Sequence, residues 1–464
     1  MKTNMLLSLS TLLMLGGCSM APKLDMQTPS LPQSARAQAP ALSATWWKAY
    51  NDPKLESLID EALQQSDDLK LAVANVSLVR ASLGLSSAER YPSVNAAASA
   101  YRQRMSEEGL SYPGFIYNSF GLSATIGYEF DFWGKFKNSE DAAWSELLAS
   151  EADKETLRIS LISGVAELYI AQVALMQKIE LTAKTVDAYR DSYEYRKREQ
   201  RHGTVDPLTV EQARAQYANA QVMLASLKEA RGLNANALGA LLGRDPKAIF
   251  ETPVEAPLRL PSALEIPEGV SSRLLERRPD IRAAEERLRA SNALIGVARA
   301  DYFPSISLTG SLGLQSVELD NLLKSSARTW GFGPALNVPL LDFGRVRSGV
   351  ERAEAQKEAA QIQYAKSVKN AFKEVQDALQ RIAHAGAQIE AQQQEVEALE
   401  RVLELAQKRY ASGYADYLNV LDAKRGLLAA RIAMIDLDAN LLNAQTLLYK
   451  ALGGGWKMPE SSQS

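Results

Sequence analysis

Few side chains in this sequence are of the types that usually perform chemistry. It contains one cysteine, Cys18, and two histidines, His202 and His384. These residues cannot build a zinc site from histidine and cysteine ligands, and a single cysteine excludes a disulfide within the chain. The sequence has no HExxH, GxSxG or GxxxxGK[ST] motif, and histidines are too few for common acid–base sites. Carboxylate pairs are plentiful, but such charge runs are typical of solvated helix surfaces, so an enzyme is not expected.

The one cysteine lies where a lipid is attached in some secreted proteins. The apolar stretch from Met5 to Leu15 has the length of a signal-peptide core and is too short to anchor the chain in a bilayer. The following LGGC, ending at Cys18, resembles the lipobox of bacterial lipoproteins. There the thiol receives a diacylglycerol and the new terminal amine receives an acyl chain. The alternative is an ordinary secretory signal with an incidental cysteine. Ser19, not aspartate, follows, which by resemblance to the sorting rule directs a lipoprotein to the outer membrane.

Composition narrows the class of protein further. The chain has 464 residues, a net charge of -3 and a pI of about 5.8, so it carries no electrostatic footprint for nucleic acid. Abundant alanine, leucine, glutamine and glutamate favour long helices. After Leu15 we find no apolar run of the ~18 residues that a transmembrane helix requires. Apart from the lipid on Cys18 we expect no cofactor and no metal.

The chain contains an internal repeat. Residues 66–95 align without a gap with residues 278–307, DFWGK at 131–135 matches DFGR at 342–345 with one extra residue in the first copy, and GTVDPLTV at 203–210 matches GYADYLNV at 413–420. The copies close at Leu242-Gly243 and Leu452-Gly453. We therefore predict a signal peptide (1–17), a lipidated linker (18–45), a first repeat (46–250), a proline-rich connector (251–269), a second repeat (270–455) and a C-terminal tail (456–464).

Each copy shows the same order of elements. A medium helix (about 68–89 and 280–300) precedes two strand-like segments, a very long helix (about 138–201 and 345–409), a glycine turn and a further helix (about 206–242 and 416–452). The long helices would each span ~95 Å. Near-heptad apolar spacing predicts coiled-coil packing between them, for example at Ala378, Ile382, Ile389, Val396, Leu399, Leu403 and Leu405. A cytoskeletal coiled coil is the alternative, but the signal peptide and the strands count against it.

Four segments alternate apolar residues with small or polar residues, as transmembrane β-strands do. They lie at about 93–103, 122–130, 305–315 and 330–338, with loops at about 104–119 and 316–328. A half-buried soluble sheet shows the same alternation. Four strands cannot close a barrel, and open edges in hydrocarbon would leave backbone groups unpaired. Several chains must then pool their strands, eight for two copies or twelve for three.

Several segments resemble the TolC-type outer-membrane factor family, in the lipoprotein branch that includes OprM. They are WW at 46–47 with DP at 52–53, RRPDIRAAEERLRASNALIGVARADYFPSISLTGSLG at 277–313, PLLDFGRVR at 339–347 and RYASGYADYLNVLDA at 409–423. The resemblance covers nearly all of the chain after the signal peptide. It implies a mixed α and β fold: a trimeric channel-tunnel with a shared 12-stranded transmembrane β-barrel, four strands per chain, a long periplasmic α-helical barrel and an equatorial domain.

The resemblance also implies a function. The chain would be the outer-membrane exit channel of a tripartite efflux pump, passively conducting drugs and other small toxic molecules. Its partners would be two further copies of itself in a homotrimer, a periplasmic adaptor protein, an inner-membrane pump of the RND type and outer-membrane lipid. A duct for type I protein secretion or metal efflux is the alternative. An adaptor itself would lack the strand pairs and would have a single helical hairpin.

The same resemblance assigns roles to the two glycine turns. Gly203, Thr204, Gly413 and Tyr414 would face the adaptor, although His202 and Ser412 stand where the family often has valine. A solvent-exposed His202 is favoured over a pH sensor.

Residue matching further places Tyr410 and Asp422 at the periplasmic aperture, and Asp416, in the same cluster of aspartates past the second turn, is predicted to lie there too. Asn419 replaces an aspartate found in TolC itself, so one acidic ring would be neutral. Asp416 and its repeat counterpart Asp206 also suit helix N-caps; capping is favoured for Asp206, and a pore ring for Asp422.

Overall fold

The structure is a computed structural model that describes residues 19–26, 43–108, 114–251, 259–264 and 277–456. The predicted signal peptide, Cys18, and most of the linker, connector and tail lie outside the described residues. The chain divides into two compact units. We call residues 1–28, 75–151 and 283–365 the sheet unit, and residues 29–74, 152–282 and 366–464 the helical unit. Each unit takes residues from both halves of the chain, so the units and the repeats divide it differently.

The helices follow the predicted order in both repeats. They are α1 (Pro53–Gln65), α2 (Asp67–Ala88), α3 (Lys135–Arg201), α4 (Pro207–Leu241), α5 (Pro246–Glu251), α6 (Pro279–Ala300), α7 (Arg345–Ala411) and α8 (Tyr417–Ala451). Helices α1 and α5 were not predicted. Helix α1 begins where the Asp52 carboxylate accepts hydrogen bonds from the backbone N–H groups of Lys54 and Leu55, at 2.9 and 3.1 Å, because a helix start leaves those donors without intrahelical partners.

The four predicted strands form one antiparallel sheet in the sheet unit. Strands β1 (Ser93–Arg104), β2 (Ile116–Phe130), β3 (Ser305–Ser316) and β4 (Arg328–Asn337) lie side by side in chain order. The first loop is shorter than predicted, since β2 begins at Ile116 and pairs with the whole of β1 as far as Arg104. Backbone pairing explains the difference: it extends β2 beyond the part that shows apolar alternation.

The strand register gives the sheet one apolar face and one polar face. Leu122 pairs with Leu314, and Leu312 pairs with Trp330. On the other face, Thr125 pairs with Ser311 and Ser311 with Gly331. The alternation predicted for each strand is therefore confirmed across the sheet.

Most of the apolar face is exposed on the single chain, and both edges of the sheet are open. Leu312, Trp330, Phe332 and Leu336 are exposed by 66, 81, 71 and 65%. Among the described residues, β1 pairs only with β2, and β4 pairs only with β3. An apolar face of this extent needs a partner of matching polarity, and each open edge carries unpaired backbone donors and acceptors.

The two repeats share one close backbone contact, between a glycine at the end of each repeat and a carbonyl near its start. A Cβ on Gly243 would lie well under 3.0 Å from the backbone carbonyl oxygen of Gln65, and a Cβ on Gly453 would meet that of Arg277 in the same way. Gln65 and Arg277 stand directly before the aligned segments. Both glycines have positive φ, +72° and +89°, so each repeat closes on itself through a contact that only glycine permits.

The helical unit has an aromatic and aliphatic core. Tyr50 and Tyr169 are fully buried, and their hydroxyls bond Thr446 Oγ1 and Asp52 Oδ2, each at 2.6 Å. Burial raises the pKa of both phenols. These hydrogen bonds satisfy polar groups whose burial would otherwise be costly.

The predicted coiled-coil positions of α7 are confirmed with one correction. Ala378, Ile382 and Val396 are buried, and Val396 packs with α8 through Leu427. Leu405, in contrast, is 52% exposed and faces away from the helix contact. It lies only two residues beyond Leu403, a spacing that puts it on another face of the helix.

The prediction that no apolar run of the ~18 residues needed for a transmembrane helix follows Leu15 is wrong by length and composition. Pro53–Ala88 and Lys135–Arg201 each contain an 18-residue window apolar enough to cross a membrane. The window in Lys135–Arg201 is 61% buried, as expected of a helix that packs in a protein core. Alanine and leucine are common in packed helices as well as in membrane spans, so this feature is weak evidence for a membrane helix.

Candidate functional site: the helical hairpin turns

The two predicted turns have the same backbone geometry. Gly203 and Gly413 have φ angles of +74° and +76°. In the first turn the N–H of Gly203 donates to the carbonyl of Gln200 at 2.9 Å, and the N–H of Thr204 donates to that of Glu199 at 3.0 Å. Gly413 and Tyr414 repeat this pair of bonds. This is the Schellman arrangement, which satisfies the last carbonyls of a helix and requires a left-handed residue.

The turn residues are exposed, as a docking role would require. Nothing lies within 4 Å of a Cβ built on Gly203 or Gly413. Tyr414 is 79% exposed, and Thr204 and His202 are also exposed. The glycines are therefore needed for their backbone angles and not for close packing, and the neighbouring side chains are available to a partner.

The two aspartates at the helix starts behave differently. The Asp206 carboxylate accepts from the backbone N–H and the hydroxyl of Thr209, at 2.9 and 2.7 Å, and these bonds lower the pKa of Asp206. The capping interpretation of Asp206 is confirmed. Asp416 occupies the same position before α8, but its side chain makes no capping bond and is exposed. Its carboxylate remains available at the turn.

Asp422 lies on the exposed side of α8. Its carboxylate pairs with the Arg425 guanidinium at 3.0 Å, and the two side chains are 51 and 62% exposed. The place predicted for Asp422 in a ring of carboxylates remains a prediction. Arg425 would offset part of the charge of such a ring.

Tyr410 belongs to a cation–aromatic cluster that sequence reasoning missed. The guanidinium of Arg196 lies over the rings of Tyr410 and Tyr417, at 4.8 and 4.3 Å from their centroids. It also donates to the Tyr410 hydroxyl and forms an ion pair with Glu199. Ser192 bonds the Tyr417 hydroxyl. We call Ser192, Arg196, Glu199, Tyr410 and Tyr417 the Arg196 cluster.

The Arg196 cluster links the two hairpins next to their turns. Arg196 lies on α3, Tyr410 on α7 and Tyr417 on α8. Ala213 of α4 packs on Tyr417, Val420 and Leu421. All four long hairpin helices therefore meet at this point.

Positive charge is buried both in the Arg196 cluster and next to it. The Arg196 side chain is only 10% exposed. Burial, with the nearby Arg196 charge as the second cause, lowers the pKa of Lys424, and burial raises the pKa of Tyr410. The two rings and the Glu199 carboxylate offset part of the cost of burying the Arg196 charge. Arg196 was missed because it lies in the basic run YRKREQR, which reads as solvated surface; its spacing from Tyr189 and Tyr193 was the available signal.

Among the described residues, no group of three or more His, Cys, Asp or Glu side chains is placed to hold a metal ion. The predicted lipid acceptor, Cys18, lies outside the described residues.

The sequence is similar to known outer membrane efflux proteins along nearly its whole length. The family model for the outer membrane efflux protein matches residues 58–244 and 270–454. The chain is 36% identical to the solvent efflux pump outer membrane protein SrpC of Pseudomonas putida, over 98% of this chain and 99% of SrpC. It is 34% identical to the cation efflux system protein CusC of Escherichia coli O157:H7, over 97 and 99% of the two chains.

A solved structure agrees with the sequence comparison. The crystal structure of the Campylobacter jejuni CmeC outer membrane channel superposes with a TM-score of 0.91 at 27% identity, covering 96% of each chain. The predicted family and fold class are confirmed: this protein has the mixed helical and strand fold of an outer-membrane channel. It belongs to the outer membrane efflux protein family and is the outer-membrane component of an efflux pump.

Proposed function

We propose that three copies of this chain form one channel that carries small toxic molecules outward, as the exit duct of a tripartite pump. The observation that carries this proposal is the four-stranded sheet with an exposed apolar face and two open edges. In hydrocarbon, each unpaired backbone group costs several kcal/mol. Pairing β1 of one copy with β4 of the next removes both edges at once, and three copies give a barrel of twelve strands.

The proposed protein partners follow from the exposed hairpin turns. The exposed turn residues Thr204 and Tyr414 would receive a periplasmic adaptor, which joins the channel to an inner-membrane pump of the RND type. The chain itself would supply a passive path and no enzymatic activity. Cys18 would carry the diacylglycerol and N-acyl chain, with no other cofactor. The periplasmic tip of the channel, formed by the hairpin turns, would be held closed by contacts such as the Arg196 cluster. Asp416 and Asp422 would narrow its opening.

The cargo is proposed to be apolar or amphipathic drug-like and solvent-like compounds, in keeping with the solvent efflux relative. The cation efflux relative at 34% identity supports metal cations as the alternative cargo.

The test is the accumulation of a fluorescent drug-like dye in the source bacterium. Strains would lack the gene, carry it restored, or carry it with a turn variant such as Gly413→Val, whose side chain opposes the positive φ. Higher dye content on deletion, reversed by the wild-type gene and not by the variant, is expected. An unchanged dye content together with increased sensitivity to metal salts on deletion would favour the cation cargo. Unchanged dye content and unchanged metal sensitivity would contradict the efflux assignment.

A further inference from the structure

Three arginines share the apolar face of the sheet. The strand register places Arg104 opposite Ile116 and Arg328 opposite Leu314, and Arg102 lies two residues before Arg104 on β1. Because side chains alternate between the two faces of a strand, all three arginines project from the face of the exposed apolar residues. Within the four strands, which the structure describes in full, no other charged side chain lies on that face. We call Arg102, Arg104 and Arg328 the edge arginines, since β1 and β4 are the two edge strands.

The edge arginines lie at the end of the sheet that is remote from the helices. Strand β1 follows α2 closely and α3 follows β2 closely, so Ser93 and Phe130 mark the end at which the helices join the sheet. Arg104 ends β1 and Arg328 begins β4, both at the opposite end. With the helices on the periplasmic side of an outer-membrane channel, this opposite end reaches the outer leaflet of the membrane.

An aromatic side chain marks the depth of the edge arginines in the membrane. Trp330 lies two residues inside Arg328 on the same face and is 81% exposed. Exposed tryptophans of this kind lie at the level of the lipid headgroups. An arginine on the lipid face of a barrel is costly at the bilayer midplane and is tolerated near the interfaces. The edge arginines therefore lie where their charge can meet the headgroups of the outer leaflet.

Most of this positive charge has no carboxylate partner within the chain. Arg104 pairs with Glu107, but Arg102 and Arg328 form no ion pair with any residue that the structure describes. Residues 109–113 of the neighbouring loop contain no acidic residue. The other carboxylates of this end belong to the loops beyond the strands and are Glu108, Glu318 and Asp320. All three edge arginines are exposed, so two guanidinium groups stay available to an external anion.

Closure of the proposed barrel brings the edge arginines of two copies together. Arg102 and Arg104 lie on β1 and Arg328 lies on β4, the two open edges of the sheet. When β1 of one copy pairs with β4 of the next, the two strands lie ~4.8 Å apart. Like charges on adjoining strands repel each other. An anion bound between the guanidinium groups would relieve this repulsion at every contact between copies.

We propose that the edge arginines of adjacent copies form a binding site for the phosphate groups of lipopolysaccharide, the phosphorylated glycolipid of the outer leaflet. Guanidinium binds phosphate through two parallel N–H···O bonds. A phosphate held at this level places the acyl chains of the lipid along the exposed apolar face that begins at Trp330. Because the bound lipid contacts two copies, it stabilises the assembled trimer over separate chains. This inference rests on the proposed three-copy barrel.

The test measures lipid binding to the purified full-length trimer in detergent. Short-chain lipopolysaccharide would be titrated, and bound lipid per trimer counted by native mass spectrometry. The variants are Arg102→Gln, Arg328→Gln and the two together, since glutamine keeps a polar side chain but removes the charge. We expect each single substitution to weaken binding about tenfold and the double substitution to weaken it further. Arg345→Gln is the control and should bind as wild type does, because Arg345 is an exposed arginine at the start of α7, at the periplasmic end of the sheet.

Two measurements on the wild-type protein need no substitution and cover the case in which a variant fails to fold. The same glycolipid without its phosphates should bind at least tenfold more weakly, and equal affinity would overturn the phosphate contact. Phosphatidylglycerol, which has one phosphate in a smaller headgroup, should also bind more weakly. Equal affinity for phosphatidylglycerol would overturn lipopolysaccharide as the ligand.

The remaining outcomes separate the lipid site from the channel assembly. Equal affinity of wild type and the double variant for lipopolysaccharide would overturn the site at Arg102 and Arg328. A wild-type trimer that binds no lipopolysaccharide would overturn the site and leave the three-copy barrel standing. A wild-type protein that is monomeric in the same spectra would overturn the barrel itself, while the dye assay tests the efflux function separately.

Discussion

The guanidinium carbon of Arg196 lies 4.3 Å from the ring centroid of Tyr417, across the contact between the first and second helical hairpins. The same guanidinium also contacts Tyr410. One cation therefore joins α3 to both helices of the second hairpin near the turns. Cation–π contacts are strongest where water is excluded, and this side chain is largely buried.

The first prediction concerns closure of the tip. Arg196→Ala should raise single-channel conductance in planar bilayers, because it removes the ion pair with Glu199 and both ring contacts. The conductance of Arg196→Lys should lie between those of wild type and Arg196→Ala. An ammonium keeps the positive charge but lacks the planar group of several donors that guanidinium provides. Arg201→Ala is the control, because Arg201 is an exposed cation at the end of the same helix. Equal conductance in Arg196→Ala and wild type would show that the Arg196 cluster does not help to close the channel.

The second prediction concerns ion selectivity. Asp422→Ala should weaken cation selectivity, measured as the reversal potential in a salt gradient, because carboxylates at a constriction select cations. Arg425→Ala should strengthen it, since it removes the positive partner at 3.0 Å. Opposite shifts are expected in the two variants. Shifts of the same sign, or none, would place the selective ring elsewhere, with Asp416→Ala as the next variant to measure.

The third prediction separates two uses of glycine. Gly203→Ala should lower stability by only about 1–2 kcal/mol, the cost of a left-handed alanine, because its surroundings are open. Gly453→Ala should be far more damaging, since its Cβ would also collide with the Arg277 carbonyl. Thermal unfolding of the purified trimers would give the comparison. Similar losses of thermal stability in both variants would contradict the close contact between Gly453 and the Arg277 carbonyl.

The fourth prediction concerns a buried charge. Burial lowers the pKa of Lys424, so the folded protein disfavours the charged form, and this cost is present below the folded pKa. It disappears as the pH rises toward the unfolded value of ~10.4. Lys424→Met should therefore raise the melting temperature at pH 7, and the difference from wild type should shrink as the pH is raised toward 10.

A Lys424→Met protein that melts below wild type at pH 7 would show that the ammonium is stabilised in place. In that case its contact with the Tyr189 ring, 5.8 Å away, outweighs the cost of burial. Lys408→Met is the matched control, because Lys408 is exposed and pairs only with its helix neighbour Glu404 at 2.5 Å among the described contacts.

Local pattern was enough to predict the elements that repeat. Helix periodicity, the glycine turns and the period-two strands were all visible in the sequence, and Gly203 and Gly413 lie at the turns as expected. These features depend on each residue and its near neighbours along the chain. The duplicated order of elements, and the resemblance it carries, followed from the same information.

Contacts between distant segments were decided by the tertiary structure alone. The sequence does not reveal that Arg196, unlike an ordinary surface cation, packs on the ring of Tyr417. It also does not reveal that Trp133, the extra residue of the first copy, stacks on Phe303 with ring centroids 4.5 Å apart. Nor does it show that Gly296 lies against the Ala21 backbone and the Asn138 side chain, while its repeat counterpart Gly84 faces open space. The physical reason is that burial and pairing depend on which surfaces meet, and equal local sequence in two repeats meets different neighbours.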